Sequence, residues 1–358
     1  MGTARRAKSS ATLPLGEPLM LTTDLIERVL ATIPDRTVGV LGDLFLDRYL
    51  DIDPARNEPS VETGLTAYQV VQVRSYPGAA GTVMNNLAAL GVGRIYPIAC
   101  IGDDGEGYEL RQALRQLPAV EQGGLILAPD RRTPTYTKPM LGQEELNRLD
   151  IKNRTPTPAG IQDHIIELLD EAWPQLDALL VLDQVSEVDC GVVTAKVRDH
   201  LAKLAAGDPA KFVLADSREQ IGLFRNVCVK PNRAEAEKLF PSFEPFAFDI
   251  GLSLAARRYQ AIFCTRGEEG IRLALPGQSS EQLLRVPTYP VSGPIDICGA
   301  GDSCSAGIAS AMVSGLTHEQ AAAFGNLVAS ITIQQIGVTG TATPDQVRAR
   351  WREVGALV

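Results

Sequence analysis

The chain has no surplus of basic charge. Its 358 residues carry 34 Lys and Arg against 43 Asp and Glu, a net charge of −9. That excludes a protein whose main partner is a phosphate backbone, because nucleic-acid binders need a basic face. The chain also lacks any run approaching the ~18 consecutive apolar residues of a membrane-spanning helix. Its greasiest stretches, such as Ala178–Leu182, are of strand length, so no membrane partner is expected. The six cysteines (Cys100, Cys190, Cys228, Cys264, Cys298 and Cys304) form no CxxC pair. Zinc spacing is therefore missing, a disulfide framework is not expected, and a reducing cytoplasm fits the pattern. Residues 1–20 carry Arg5, Arg6, Lys8, Pro14 and Pro18 without an apolar core, and read as a flexible tail rather than a secretory signal. Internal repeats and low-complexity tracts are absent too.

What is present reads as an α/β chain. Hydrophobic residues make up 45% and charged residues 22%, enough apolar matter to bury a core. Short apolar runs at Thr37–Gly42, Ile95–Ile101, Ala178–Asp183, Phe212–Asp216, Val227–Lys230 and Ala261–Thr265 read as buried strands. Helix-period stretches lie between them, at Val83–Leu90, Glu106–Leu117, Ile161–Leu169, Val192–Leu204 and Leu252–Tyr259. That alternation predicts βαβ units around a parallel sheet. Several runs end at a polar residue (Asp43, Asp183, Asp216, Thr265), and ligands of open α/β sheets bind beyond the carboxyl ends of the strands. Two segments, Leu50–Arg74 and Thr133–Ile151, break the alternation. They read as hairpin-like pieces of a small second sheet over the crevice.

The strongest chemical signal is Asp296-Ile-Cys-Gly-Ala-Gly-Asp302, followed by small and apolar residues that read as a helix. Glycines let the backbone approach a ligand, and a helix start aims free N–H groups at an anion. Asp302 at the mouth of that nest is placed to accept a proton from an attacking hydroxyl; a Gly-rich loop with Asp as helix cap fits the same string. Lys230-Pro-Asn-Arg-Ala-Glu235 sets Asn232 and Glu235 three apart at a helix start. Such a pair suits a water-clad Mg²⁺, and suits a capping box equally well. Thr265-Arg-Gly-Glu-Glu-Gly270 gives a turn after a strand, either a phosphate-facing loop or a plain hairpin. Gly39-Val-Leu-Gly42-Asp43 closes the first strand without GxGxxG, which excludes a dinucleotide dehydrogenase.

In this order the motifs resemble a ribokinase-like carbohydrate kinase of the phosphofructokinase-B group. The likeness runs from Gly42-Asp43 to about Thr343 through PGAAGTVMNNLAALG (77–91), Ile101-Gly-Asp-Asp-Gly105, KPNRAE (230–235), TRGEEG (265–270) and DICGAGD (296–302). Within the group, GDLFLDRY (42–49), NRLD (147–150) and the 77–91 segment are most similar to the kinase domain of bifunctional ADP-heptose synthases. The resemblance implies an α/β three-layer sandwich with a mostly parallel central sheet and a small β-sheet lid. Residues 21–358 would form the kinase domain, with the lid at about 50–76 and 133–151. It implies ATP-dependent, Mg²⁺-assisted phosphorylation of a sugar or sugar-phosphate hydroxyl, of the heptose-phosphate-kinase kind. By the same resemblance Asp302 is the catalytic base, and Gly299, Ala300 and Gly301 cradle the transferring phosphoryl group. Asn232 and Glu235 organise Mg²⁺ through water, while Thr265, Gly267 and Asn326 contact the nucleotide. Asp43, Gly78 and Asn86 bind the acceptor sugar, and the lid mediates a homodimer.

Three positions depart from the family. Thr82 stands where it usually has Asn, Cys298 replaces a hydroxyl residue before the GAGD, and Gln184-Val-Ser-Glu187 lacks the lysine of the heptose kinases. Arg148 and Lys138, on the expected lid pieces, offer cations for a phosphorylated sugar instead, Arg through its planar fork. Cys298, beside a helix start, is expected to have a lowered pKa. The alternative reading is a catalytically weak or inactive sugar- or nucleotide-binding regulatory protein on the same scaffold. Asp302 with its glycines favours catalysis.

Overall fold

A computed structural model describes residues 21–142, 144–240, 248–337 and 339–355; the expected tail lies outside them. Helix α1 (Thr23–Thr32) leads into strand β1 (Thr37–Gly42), and after Asp43 the chain continues as β2 (Leu44–Ile52). An excursion holding the two-residue strands β3 (Glu58–Pro59) and β4 (Thr66–Ala67) returns as β5 (Val70–Ala79), which runs directly into α2 (Ala80–Leu90). Next come β6 (Arg94–Gly102), α3 (Gly105–Leu114), β7 (Leu125–Ala128), β8 (Thr135–Leu141), β9 (Glu144–Glu145) and β10 (Leu149–Ile151). The chain then alternates through α4 (Ala159–Ala172), β11 (Ala178–Asp183), α5 (Ala195–Gly207), β12 (Phe212–Ser217), β13 (Cys228–Val229), α6 (Arg233–Glu237) and α7 (Phe248–Ala256). It finishes with β14 (Ile262–Thr265), β15 (Ile271–Ala274), β16 (Leu284–Val286), α8 (Ala300–Val313), α9 (His318–Thr332) and α10 (Pro344–Val354).

Among the described residues nine strands make the central sheet, in the order β16-β15-β14-β13-β12-β11-β1-β6-β7. Neighbours are parallel from β14 through β7, and only β15 breaks the direction. A strand's side chains alternate between faces, and β11 shows what that does here. Leu180 and Leu182 enter a core with α2, α8 and α9, while Leu179 and Val181 enter a second core with α4 and α5. Both faces are therefore covered, which is why the strands read as unbroken apolar runs. This is the three-layer α/β sandwich that the resemblance implies.

A smaller sheet, β10-β8-β2-β5 with β9 on β8, forms the lid. Its first strand begins at Leu44, six residues before the expected boundary at 50, and much of 53–69 projects as the β3–β4 excursion. Gly42 makes the early start feasible, since a Cβ there would lie 2.2 Å from the Leu182 carbonyl oxygen. Only glycine lets the chain turn so closely past β11 into the lid. At the other end of the hairpin Ala79 adopts φ 54 and ψ −117, a region that costs a residue with a side chain about 1–3 kcal/mol.

Candidate active site

Gly299, with φ 76, turns the chain into α8; a Cβ on it would stand 2.5 Å from Thr339 Cγ2. The Ala300 N–H donates to the Ile297 carbonyl at 3.1 Å and the Ser303 N–H to the Gly299 carbonyl at 2.9 Å, which leaves Gly301 and Asp302 to supply the free leading amides. Asp302 in that first turn is half-buried. Withdrawal from water and the nearby Asp216 push its carboxyl up to about 7, against the pull of Lys230 and Arg218. Lys230 is buried and pairs with Asp216 Oδ2 at 2.8 Å. A Cβ on Gly301 would be 3.5 Å from the Lys230 ammonium, so this cation lies against the glycine loop. Burial works against its charge, but Asp216, Cys304 and Asp302 outweigh that and hold it protonated. The result is a carboxyl poised near neutrality beside a fixed positive charge, which suits proton removal next to a developing anion.

The other donor-side segments meet here as well. Asn232 caps α6 in a reciprocal box, its Oδ1 accepting the Glu235 N–H at 2.9 Å while Glu235 Oε2 accepts the Asn232 N–H at 2.8 Å. Burial and Asp216 raise the Glu235 carboxyl, so the 232–235 turn shares a field with Asp216 and Lys230. Thr265 bridges to Asn232, its N–H donating to the Pro231 carbonyl at 2.9 Å. Gly267 turns with φ 55. Asn326 is buried on α9 and donates to the carbonyls of Val286 (3.2 Å) and Pro287 (2.8 Å), so it ties that helix to the end of β16. Among the described residues no group of three His, Cys, Asp or Glu could hold a metal ion alone. Asp216 and Glu235 are hard oxygen donors, however, and fit a Mg²⁺ that keeps its waters and takes its other ligands from phosphate.

On the acceptor side two aspartates of the β1–β2 stretch, Asp43 and Asp47, have different surroundings. Asp43 is buried, and its carboxylate accepts N–H groups from Gln184 (2.8 Å), Val185 (3.0 Å) and Val192 (2.7 Å). It organises the 184–192 loop and also lines the cleft between lid and sheet. Asp47, four residues on, lies within electrostatic reach of the glycine loop: its charge raises both Asp302 and Cys298, and its own carboxyl is raised by burial despite Lys138, whose Nζ lies 3.8 Å away. Gly78 is the gap that admits it, since a Cβ there would stand 2.6 Å from Asp47 Oδ2. Asn86 is fully buried and donates to the Thr82 carbonyl within α2 at 3.0 Å, with its own Oδ1 unpartnered. Arg148 lines the cleft between lid and sheet with Phe45, Tyr136, Gln184 and Arg218. It is held by Asp150 (2.6 and 2.9 Å) and lies over the Tyr136 ring. The thiol pKa expected to fall at Cys298 rises instead, because partial withdrawal from water outweighs Lys138.

The sequence reading sets Asp216 among the polar strand ends at the crevice but gives no role to it, to Asp47 or to Lys230. Lys230 opens the motif that holds Asn232 and Glu235, and a lysine at the end of an apolar run is the available signal. Asp47 carried none, because one period-2 strand offers several polar positions and only the sheet shows which faces the crevice.

The pattern of the pfkB family carbohydrate kinases matches residues 44–346. The bifunctional protein HldE of Gluconobacter oxydans (strain 621H) is 25% identical over 328 residues, 90% of this chain and 66% of that protein. HldE of Caulobacter vibrioides is 30% identical over 309 residues, 84% of this chain and 61% of that one. The chain thus spans somewhat less than two thirds of these relatives. Ribokinase of Arabidopsis thaliana, solved with ribose and ATP, superposes with a TM-score of 0.64 at 16% identity, covering 88% of this chain and 98% of that one. Phosphofructokinase-2 of Escherichia coli, solved with substrates and products, gives 0.65 at 17% identity, covering 89% and 99%. At such identities the likeness is one of fold.

Proposed function

The chain belongs to the pfkB family of carbohydrate kinases, and from that premise we propose that it moves the terminal phosphoryl group of ATP onto a hydroxyl of a phosphorylated sugar, in the manner of the kinase part of HldE. The observation that carries this is the Asp302 carboxyl, near-neutral at the mouth of the glycine loop and set beside the Lys230–Asp216 pair. Asp302 takes the proton from the acceptor hydroxyl. Lys230 and the leading amides of α8 hold the charge on the transferring group. When bound with ATP, Mg²⁺ supplies further neutralisation of phosphate charge, and Asp216 and Glu235 hold it through water, with Asn232 keeping Glu235 in place. Thr265, Gly267 and Asn326 frame the nucleotide, and Asp47 with Gly78 and Arg148 frames the acceptor. The exposed edge strand β5 carries Val70, Val71, Val73 and Tyr76, and an open apolar edge is a template for pairing; we read it as the contact of a homodimer. No helix of the described residues is long and apolar enough to cross a membrane, and we place the protein in the cytoplasm. The test is ADP release with ATP–Mg²⁺ over a panel of pentose, hexose and heptose phosphates and their unphosphorylated counterparts. Turnover of phosphorylated acceptors, lost with chelator and restored by Mg²⁺, is the expected result. ADP release that ignores every acceptor would remove the reading.

A further inference from the structure

The cleft between lid and sheet is lined by four cations, Arg131, Arg148, Lys152 and Arg218. Three are already engaged. Arg131 is buried, its guanidinium donating to the carbonyls of Thr155 and Cys190. Arg148 is paired with Asp150 through two hydrogen bonds, and Lys152 approaches the same carboxylate at 3.9 Å. Arg218 differs. Its side chain is exposed, and among the described residues no carboxylate forms an ion pair with it.

The register explains why it stands there. β11 and β12 are parallel with Asp183 opposite Ser217, so Gln184 and Arg218 emerge side by side at the carboxyl ends of the two strands. Gln184 Oε1 accepts the Arg218 Nε–H at 2.8 Å. That bond leaves the two terminal nitrogens of the fork for a ligand. The 184–187 segment has no cation of its own, and this contact brings one to it from the neighbouring strand. The charge of Arg218 also acts on Asp302 and Glu235, favouring their ionised forms. Arg218 thus stands between the base and the cationic part of the cleft.

We propose that Arg218, aimed by Gln184, binds the anionic group that the acceptor sugar already carries and so turns the acceptor's free hydroxyl toward Asp302. A planar fork with two free donors matches a phosphate or carboxylate bidentately, and a substrate held at that end is oriented as well as bound. The inference rests on the sugar-phosphate reading above, and names the residue that makes that choice.

The test compares wild type with Arg218→Ala, Arg218→Lys and Gln184→Ala. With the best phosphorylated acceptor of the panel, Arg218→Ala should raise acceptor KM about 10–100-fold and leave KM for ATP within about twofold. Arg218→Lys should recover part of the loss, and Gln184→Ala should lose less than Arg218→Ala. A rise in KM for ATP with acceptor KM unchanged would assign Arg218 to the nucleotide and overturn the proposal, while leaving the kinase reading intact. Inorganic phosphate alone gives a readout that needs no turnover: at millimolar concentration it should raise the Tm of wild type and not of Arg218→Ala. Equal shifts in both proteins would overturn the proposal even if no acceptor of the panel is phosphorylated, the result that would sink the kinase reading itself. The exposed position of Arg218 makes misfolding of the variants unexpected, and unchanged Tm values without phosphate check it.

Discussion

The donor side and the acceptor side of the cleft are built in different ways. On the donor side each functional group arrives inside a short segment that also folds itself. Asn232 and Glu235 close a box three residues apart, and Gly299 to Asp302 make one helical turn. The acceptor side is assembled from chain stretches far apart. Asp47 fits because Gly78 on the antiparallel partner strand has no side chain, and Asp43 is occupied by amides more than 140 residues away. Local geometry makes the donor side hard to vary, whereas a register-built acceptor side can exchange residues one at a time. Thr82, Cys298 and the missing lysine of 184–187 all lie in or beside that second half.

The largest effect should come from Asp302→Asn. The shape survives but the proton has no acceptor, so kcat is expected to fall by about 10²–10⁴-fold, the usual worth of a general base. Nucleotide affinity, measured by titration, should change little, because the leading amides of α8 and Lys230 remain. A variant that turned over at the wild-type rate would break the comparison at its centre.

The pH profile should follow the same carboxyl. Asp302 is raised to about 7 by burial and Asp216, so kcat/KM should climb about tenfold per pH unit below that value, and the climb should vanish in Asp302→Asn. Stability runs the other way. A carboxyl raised on folding binds its proton more tightly in the native state, so its contribution is fully present below the unfolded value and is lost as pH rises through about 7. Asp183 is raised to about 7 by burial and by Asp43, and acts with the same sign. Denaturant titrations at pH 5 and 8 should therefore show a fall in stability that Asp183→Asn reduces.

Asp43 and Asp47 sharpen the contrast within the acceptor side. Asp47→Asn should raise acceptor KM by about 10-fold, as loss of a charge-assisted contact does, with little change in urea midpoint. Asp43→Asn should do the reverse. An amide cannot accept all three N–H groups of the 184–192 loop, and a buried donor left unpaired costs about 1–3 kcal/mol. If the two variants exchanged phenotypes, the placing of the sugar beside Asp47 would be wrong.

The smallest effect concerns the hinge between lid and α2. Ala79→Gly should relieve the positive φ, and after the entropy that glycine adds to the unfolded chain the net gain should be about 0.5–1 kcal/mol. The urea midpoint checks it. A loss of stability would show that the surroundings of Ala79, and not its backbone, set the energy there.

Sequence by itself determined the class of fold and the donor side. Apolar runs such as Ala178–Asp183 became strands with the expected ends, because burial on both faces demands an unbroken run. The GAGD helix start and the 232–235 turn were legible for a related reason, since their hydrogen bonds and their φ values are set within four residues. The path of the lid, with its first strand from Leu44, was not legible, nor were the short strands β7, β15 and β16. These elements are held by partners distant in the chain, and their own sequence is compatible with loop. The same reason separates Asp43 from Asp47. Asp43 lies between β1 and β2 and Asp47 four residues on within β2, and nothing local says what either will meet. Only when β5 lays Gly78 against Asp47 and the 184–192 loop folds its amides onto Asp43 do the two carboxylates acquire different surroundings.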